Sequence, residues 1–439
     1  MLSNTHKQLA QWAMDYALRN GCQGVRINLY GGSNSSFEIR NMQIDRLQQA
    51  SENGLSLRLF VDGRFGSYST NRLDKKELEK FIPNAIESTR YLAEDKARTL
   101  PDAARYYAGG GSDLRLYDAA FESIRPDDKL ALAMHVCSEI MGKDERIVSA
   151  ESSYSDTENF RYMITSNGFE GESSASDFTL AGSVSVKGEG DARPSSYWFD
   201  SSLYYGKLTK EGIGAKALKR TLLKLGQHKI ASVRLPMLVE FMSARRLLSP
   251  LISALYGSSI QQKNSFLLDR LNQKTLGDKM TLIDEPHLIE TAGARYFDGE
   301  GVATKRMPVF ESGVLKTYFI DTYNANKMAC EPTVEAPSIL TMQMGEKNLD
   351  ALVGSLDKGI LVTGFHGGNC SSTTGDFSYG IEGFLIEKGR LTQPVSEMNI
   401  TGNMLTLWSN LVEVGNDPLM HSAWRIPSLL FDGVDFSGI

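Results

Sequence analysis

The sequence predicts an α+β protein: a duplicated helix–antiparallel-strands–helix N-terminal half, followed by a mainly antiparallel β C-terminal domain. Three observations predict it. An amphipathic helix, a series of alternating strands and a second helix open the chain, and the same order returns after Asp127. From Thr281 onward the pattern is mainly short strands. Two distant hairpins there share one turn sequence, Glu-x-Gly-x-Leu, at Glu311–Leu315 and Glu387–Leu391, with Gly at the left-handed position a short hairpin needs.

The elements follow in order. The first helix, His6 to Arg19, sets Leu9, Trp12, Ala13, Tyr16 and Ala17 on one face. Strands are expected at Val25–Tyr30, Phe37–Arg40, Ile44–Ala50 and Leu55–Val61. Asp62-Gly63 is a hairpin turn, with Phe65–Ser69 returning. Asp74 caps the next helix, with Glu77 at the capping-box position. In the second copy, Asp127 and Asp128 open a helix. Strands at Ile147–Tyr154, Phe160–Ser166, Phe178–Lys187 and Tyr197–Phe199 follow, with Asn167-Gly168 as a turn, and Thr209 starts the closing helix. This divides the chain into a first repeat (1–97), a loop-rich connector (98–126), a second repeat (127–228) and a last domain (229–439). In that domain Met237–Phe241 is a strand. Ser243 caps a helix to about Tyr256, with Pro250 kinking it. Ser428–Asp435 is the last strand.

Composition excludes several classes. The 439 residues suffice for two or three domains, and 41% hydrophobic with 23% charged content is ordinary for a globular protein. A net charge of −6 argues against a broad nucleic-acid footprint. No apolar run suits a membrane span, and the N-terminus lacks the pattern of a signal peptide. The four cysteines (Cys22, Cys137, Cys330, Cys370) form no CxxC pair, which fits free thiols in a reducing cytoplasm.

The densest stretch of small and polar residues runs from Gly359 to Asp417. Strand-like runs at Ile360–Val362 and Ile381–Ile386 flank a segment rich in Gly, Ser, Thr and Asn. Such residues let backbones approach closely and can serve an extended ligand, so this stretch reads as the floor and wall of a cleft. An amphipathic helix carrying Trp408 is expected to end at Gly415-Asn416-Asp417, as a C-cap before Pro418. Asp376, after Gly375, reads either as a structural turn that caps local N–H groups or as a ligand contact.

Other candidates have simpler readings. His366 and Cys370 lie four apart, but Gly367 and Gly368 forbid helical spacing and no third ligand is near. His135 and Cys137 face different sides of one helix. The six histidines show no H-E-x-x-H or H-x-x-x-H pair, and no G-x-S-x-G elbow occurs. Gly188–Asp191 reads as a solvated hairpin tip and Gly109–Gly111 as a flexible linker. Arg245 and Arg246 read as a solvated surface pair, with anion binding the sharper alternative.

TTGDFSYGIEGFLIEKGRLTQPV, the Trp408 helix and EVGND together resemble the TldD/PmbA family, known also as modulators of DNA gyrase. KNSFLLDRLNQK and FDGEGVATKRMPVFESGVLKTYFIDTYNANK fit the family's last domain, and the likeness covers nearly the whole chain. The resemblance implies a cytoplasmic zinc metallopeptidase system acting on unfolded or extended peptides, in which a TldD-type chain pairs with a PmbA/TldE-type chain. The TldD type carries H-E-x-x-x-H on a helix and a Cys after the GND motif. Here the corresponding helix is SARRLLSPLISALYG, and PLMHSAWRIP follows Gly415-Asn416-Asp417. Both departures place the chain on the PmbA/TldE side, with no catalytic residue and no metal ligand of its own and with zinc expected in a TldD-like partner. What carries over is the cleft: Gly367, Gly368, Asn369, Thr374, Gly375 and Asp376 as candidate peptide-contacting positions. The alternative is a non-catalytic homodimeric binding or regulatory protein. Direct action on DNA is disfavoured by the acidic balance.

Overall fold

A computed structural model describes residues 4–439. The N-terminal half is organised around β1 (Gly24–Arg40), which pairs antiparallel with β2 (Gln43–Val61) on one side. β3 (Arg64–Thr70) continues the sheet beyond β2. On the other side of β1 lie β4 (Ile147–Thr165), β5 (Glu170–Val186) and β6 (Ser195–Ser202). The order is β3-β2-β1-β4-β5-β6. The repeated strands therefore form one sheet, joined where β1 meets β4 from Arg26↔Thr165 to Arg40↔Glu151.

The expected break in β1 after Tyr30 is absent, and the glycines explain why. A Cβ on Gly31 would stand 2.5 Å from Phe160 Cζ, and one on Gly32 would stand 2.1 Å from the Glu158 carbonyl oxygen. Gly31 and Gly32 permit close strand approach here; they do not turn the chain. The turn lies at Asn41 and Met42, both left-handed (φ 50° and 63°). Asp62-Gly63 makes the same type of turn (φ 50° and 72°), as expected from its sequence.

Four helices cover one face of this sheet. Along β1 the buried residues Val25, Ile27, Leu29, Phe37 and Ile39 alternate onto that face. α1 (Asn4–Arg19) and α2 (Lys75–Arg90) pack on the near half, with Leu55, Leu57 and Leu59 of β2. α3 (Pro126–Ser138) and α4 (Ile213–Leu222) pack on the far half, with Tyr154 and Phe178. Asp74 Oδ1 accepts from Glu77 N at 3.0 Å, as the capping pattern implies; the Glu77 carboxylate turns instead to Arg72 and Lys80. α4 starts later than Thr209, because Gly212 is left-handed (φ 79°) and Thr209 N–H is bound by Asp200. The opposite sheet face meets the last domain, where Arg26 donates to Gly299 O at 3.1 Å and Met163 packs on Phe169 and Phe297.

The last domain opens with β7 (Val233–Val239), α5 (Phe241–Ala254, containing Pro250) and α6 (Gly257–Gln261). Short elements follow: β8 (Leu282–Asp284), β9 (Met307–Glu311), β10 (Val314–Leu315), α7 (Thr322–Met328), β11 (Leu340–Met342) and α8 (Leu349–Gly354). The long strands β12 (Lys358–Cys370), β13 (Asp376–Glu387) and β14 (Arg390–Asn403) come next. α9 (Met404–Ser409), β15 (Leu411–Val414), β16 (Trp424–Arg425) and β17 (Leu429–Ser437) complete the chain. Two sheets result, β14-β13-β12-β7-β17-β15 and β10-β9-β8-β11-β16, antiparallel except at β12–β7 and β11–β16. They enclose one large core around Trp408, Phe310, Phe319 and Phe431. Both Glu-x-Gly-x-Leu turns form as expected, with left-handed pairs at Ser312-Gly313 and Lys388-Gly389.

Two helix boundaries in this domain differ from expectation. α5 begins before Ser243, whose hydroxyl donates to Thr363 O at 2.8 Å and so does not cap the helix. The Trp408 helix ends at Ser409, and Gly415-Asn416-Asp417 follows β15, a strand, so it is no helix C-cap. Asp417 instead ties the chain together there. It accepts from Ser428 N (2.9 Å), Ser428 Oγ (2.8 Å) and Leu349 N (3.1 Å).

Candidate functional site

The ion pairs Arg220–Glu240 and Lys224–Glu382 link the second repeat to the last domain. Lys216 and Arg220 lie four apart on α4, and Lys224 follows at the same spacing beyond its end, so they project on one side. Arg220 donates from both terminal nitrogens to the two Glu240 oxygens, at 2.6 and 2.7 Å. Burial works against the Arg220 charge, and the Glu240 carboxylate outweighs it, so the guanidinium pKa is raised. Lys224 Nζ donates to Glu382 Oε1 at 2.6 Å and to Ser195 O at 2.7 Å. Glu240 precedes α5 and Glu382 lies on β13, so each pair bridges the two parts of the fold.

Between these elements lies an open cleft of about 960 Å³. Ser195, Ser196 and Tyr197 of β6 form one wall. Met242, Arg245, Arg246 and Ser249 of α5 contribute another. The stretch Thr363–Gly367 of β12 completes it. β6 is the outer strand of its sheet, and among the described residues no strand pairs with its outer edge. A polar cleft beside a free strand edge can hold an extended chain by main-chain hydrogen bonds.

The six positions expected at the site separate. Gly367 lines the cleft; Gly368 and Asn369 continue β12 past it, at an irregularity in the pairing with β13. Gly367 and Gly368 are left-handed (φ 56° and 73°), and their carbonyls accept from Arg246 Nη2 at 2.9 and 3.1 Å. Thr374, Gly375 and Asp376 form the turn into β13. The Asp376 carboxylate accepts from Asn403 Nδ2 (2.9 Å) and Thr374 Oγ1 (2.7 Å), which together hold its pKa below the usual range. Its oxygens thus engage side chains rather than the backbone N–H groups expected. Met404 N–H donates to Gly375 O, so this turn braces the start of α9.

Zinc takes imidazole, thiolate or carboxylate ligands. The α5 side chains at the cleft offer thioether, guanidinium and hydroxyl groups, a donor set that does not fit zinc. His366 Nε2 stands 3.3 Å from Glu382 Oε2, whose other oxygen is held by Lys224. Burial, then the Asp376 charge, push the Cys370 thiol up, which disfavours a ligating thiolate. Among the described residues one other group could reach a common ion, His135, Glu139 and Glu211 at the α3–α4 face. There both Glu139 oxygens accept N–H bonds, from Gly212 (2.5 Å) and Gly214 (2.7 Å), so this carboxylate already serves the start of α4.

Sequence reading missed Arg220, Lys224, Glu240 and Glu382. One signal was available: the four-residue ladder Lys216, Arg220, Lys224 marks a continuous cationic side. The acidic partners gave none, because Glu240 and Glu382 are distant in sequence.

Comparison with known proteins fits this architecture. Family models described as PmbA/TldA metallopeptidase domain 1, central domain and C-terminal domain match residues 25–89, 119–225 and 232–438. The chain is 27% identical to the metalloprotease PmbA of Escherichia coli O157:H7 over 418 residues, 94% of this chain and 92% of that protein. A crystal structure of a candidate modulator of DNA gyrase from Bacteroides thetaiotaomicron is 62% identical, with a TM-score of 0.98 over 100% of both chains. TldE from Thermococcus kodakarensis, 18% identical, shares the fold with a TM-score of 0.86 over 98% of this chain and 100% of that one. The chain therefore belongs to the PmbA/TldD metallopeptidase family.

Proposed function

We propose that this chain is a PmbA/TldE-like, zinc-less subunit of a two-chain metallopeptidase that acts on unfolded or extended peptides. It shapes the peptide channel, and a TldD-like partner supplies zinc and its activated water. The observation that carries the reading is the α5 wall. At the helix where TldD-type relatives are expected to carry H-E-x-x-x-H, this chain presents Met242, Arg245, Arg246 and Ser249 to an open cleft. The edge of β6, with which no strand pairs among the described residues and at which Lys224 takes the Ser195 carbonyl, supports a peptide as occupant, since main-chain pairing tolerates many side chains. No helix among the described residues is long and apolar enough to cross a membrane. A cytoplasmic location belongs to the same proposal.

Co-expression with a TldD-like chain, assayed on an unstructured peptide with and without chelator, tests this. The expected result is a hetero-oligomer that cleaves the peptide, loses activity with chelator and owes nothing to metal on this chain. Hydrolysis by this chain alone, or stoichiometric zinc held by its own side chains, would overturn it. Recovery of self-associated chain only, with no activity on addition of the partner, would favour a homodimeric binding protein.

A further inference from the structure

We propose that the cleft selects peptides carrying a carboxylate, which Arg245 and Arg246 receive with help from Arg193 on the opposite wall. The inference rests on the reading of the cleft as a peptide channel and adds a chemical preference to it. Five Lys and Arg side chains line the cleft, against one acidic residue, Glu382. That balance runs against the chain as a whole, whose net charge is −6. Two of the five are already neutralised, Arg220 by Glu240 and Lys224 by Glu382.

The other three have only neutral partners. Arg245 lies over the Trp424 ring at 4.6 Å. Arg246 lies over the Tyr379 ring at 4.8 Å and donates to the Gly367 and Gly368 carbonyls. Arg193 donates to Ala192 O at 2.8 Å. Among the described residues no carboxylate oxygen comes within 4.0 Å of any of the three. Stacking on an aromatic ring fixes a guanidinium plane and leaves edge N–H groups free for a carboxylate fork. A concave site of one sign concentrates the opposite charge. The β6 edge distinguishes a peptide from a nucleic acid here, because a strand edge pairs with peptide backbone and offers a phosphodiester chain no matching ladder.

A carboxylate reaches such a site from an acidic side chain or from a peptide C-terminus, and three peptides separate these sources. One carries Glu and an amidated C-terminus, one carries Gln and an amidated C-terminus, and one carries Gln and a free C-terminus. Fluorescence anisotropy would follow their binding to the full chain, alone and with a zinc-bearing partner. One of the two carboxylate-bearing peptides should bind about tenfold tighter than the neutral one at low salt. Arg245→Gln with Arg246→Gln should bring that ratio to within about twofold, and the double Lys variant should keep part of it. Equal binding of all three peptides overturns the carboxylate preference and leaves the peptide channel standing. A preference that survives the double Gln variant overturns its assignment to α5. Failure of all three to bind in either form overturns the channel reading as well. A single-stranded oligonucleotide that displaces the peptides at lower concentration would overturn the inference in favour of nucleic acid.

Discussion

Replacing Arg220 by Met tests whether the Arg220–Glu240 pair holds the second repeat against the last domain. The Glu240 side chain is 4% exposed and that of Arg220 is 21% exposed, so the carboxylate cannot turn to water when its partner is lost. Both its oxygens are bound by the one guanidinium. Met keeps much of the aliphatic stem beside Trp198, so the loss is chiefly electrostatic. An exposed pair would cost at most about 1 kcal/mol, whereas a buried charge stripped of its partner costs about 3–5 kcal/mol. Glu240 belongs to the second regime. Glu240→Gln leaves the more exposed cation and retains one acceptor, so it should cost less, about 1–2 kcal/mol. The double variant Arg220→Met, Glu240→Gln should recover most of the loss, because no unpaired charge remains. Urea unfolding followed by tryptophan fluorescence and far-ultraviolet circular dichroism reads all three. A cost for Arg220→Met below about 1 kcal/mol, or a double variant no better than Arg220→Met, would refute the reasoning.

Three further outcomes are expected. Lys129→Met strands Asp156, which is 2% exposed and takes bonds from Lys129, Ser35 and Tyr154, so thermal unfolding should show a loss of about 3–5 kcal/mol, recovered in part by Asp156→Asn. Gly367→Ala should cost about 1–2 kcal/mol for its left-handed backbone alone. Gly368→Ala should cost more in the same unfolding assay, because its Cβ would also meet the Ser378 carbonyl oxygen at 2.0 Å. Burial pushes the Asp284 carboxyl up to about 6, so the folded state holds its proton more tightly than the unfolded chain does. Stability from this group is fully present below about pH 4 and is lost as pH rises to about 6, a difference of about 3 kcal/mol. Asp284→Asn keeps an acceptor for Ser338 N and Ile339 N, and its advantage over wild type in urea midpoint should grow across that window; a pH-independent difference would count against the assignment.

Local chemistry made much of the fold legible. The Asp62-Gly63 turn, the two Glu-x-Gly-x-Leu turns and the Asp74 cap each depend on residues a few positions apart, and each forms as expected. The errors share a different cause. The strand expected to stop at Tyr30 runs on through Gly31 and Gly32, whose lack of Cβ serves Phe160 and Glu158 across a strand that sequence alone does not place there. Gly415 and Asp417 signalled a helix end, but Asp417 serves Ser428 and Leu349. The cleft was hidden for the same reason. Its walls come from β6, α4, α5 and β12, and no spacing within any one of them announces the others. Of the six positions named in the Gly- and Thr-rich stretch, Gly367 lines this cleft.

The way the cleft is held bears on what it can be for. Apolar side chains at Arg220, Glu240, Lys224 and Glu382 would bury their surface by closing the gap, and buried ion pairs rarely stabilise a fold more than such packing does. Paired charges fix the distance between the two parts of the fold while leaving the space between them open and polar-walled. An open, unpaired strand edge is also a hazard, since another chain can add to it. Here the start of β6 and α5 line the same cleft, with Arg193 and Arg245 among its residues, and cations beside a strand edge disfavour the addition of a second sheet. A groove held open by charge, floored by strand and guarded by cations suits passage of an unfolded peptide, and the same cations give the charge of that peptide a physical consequence.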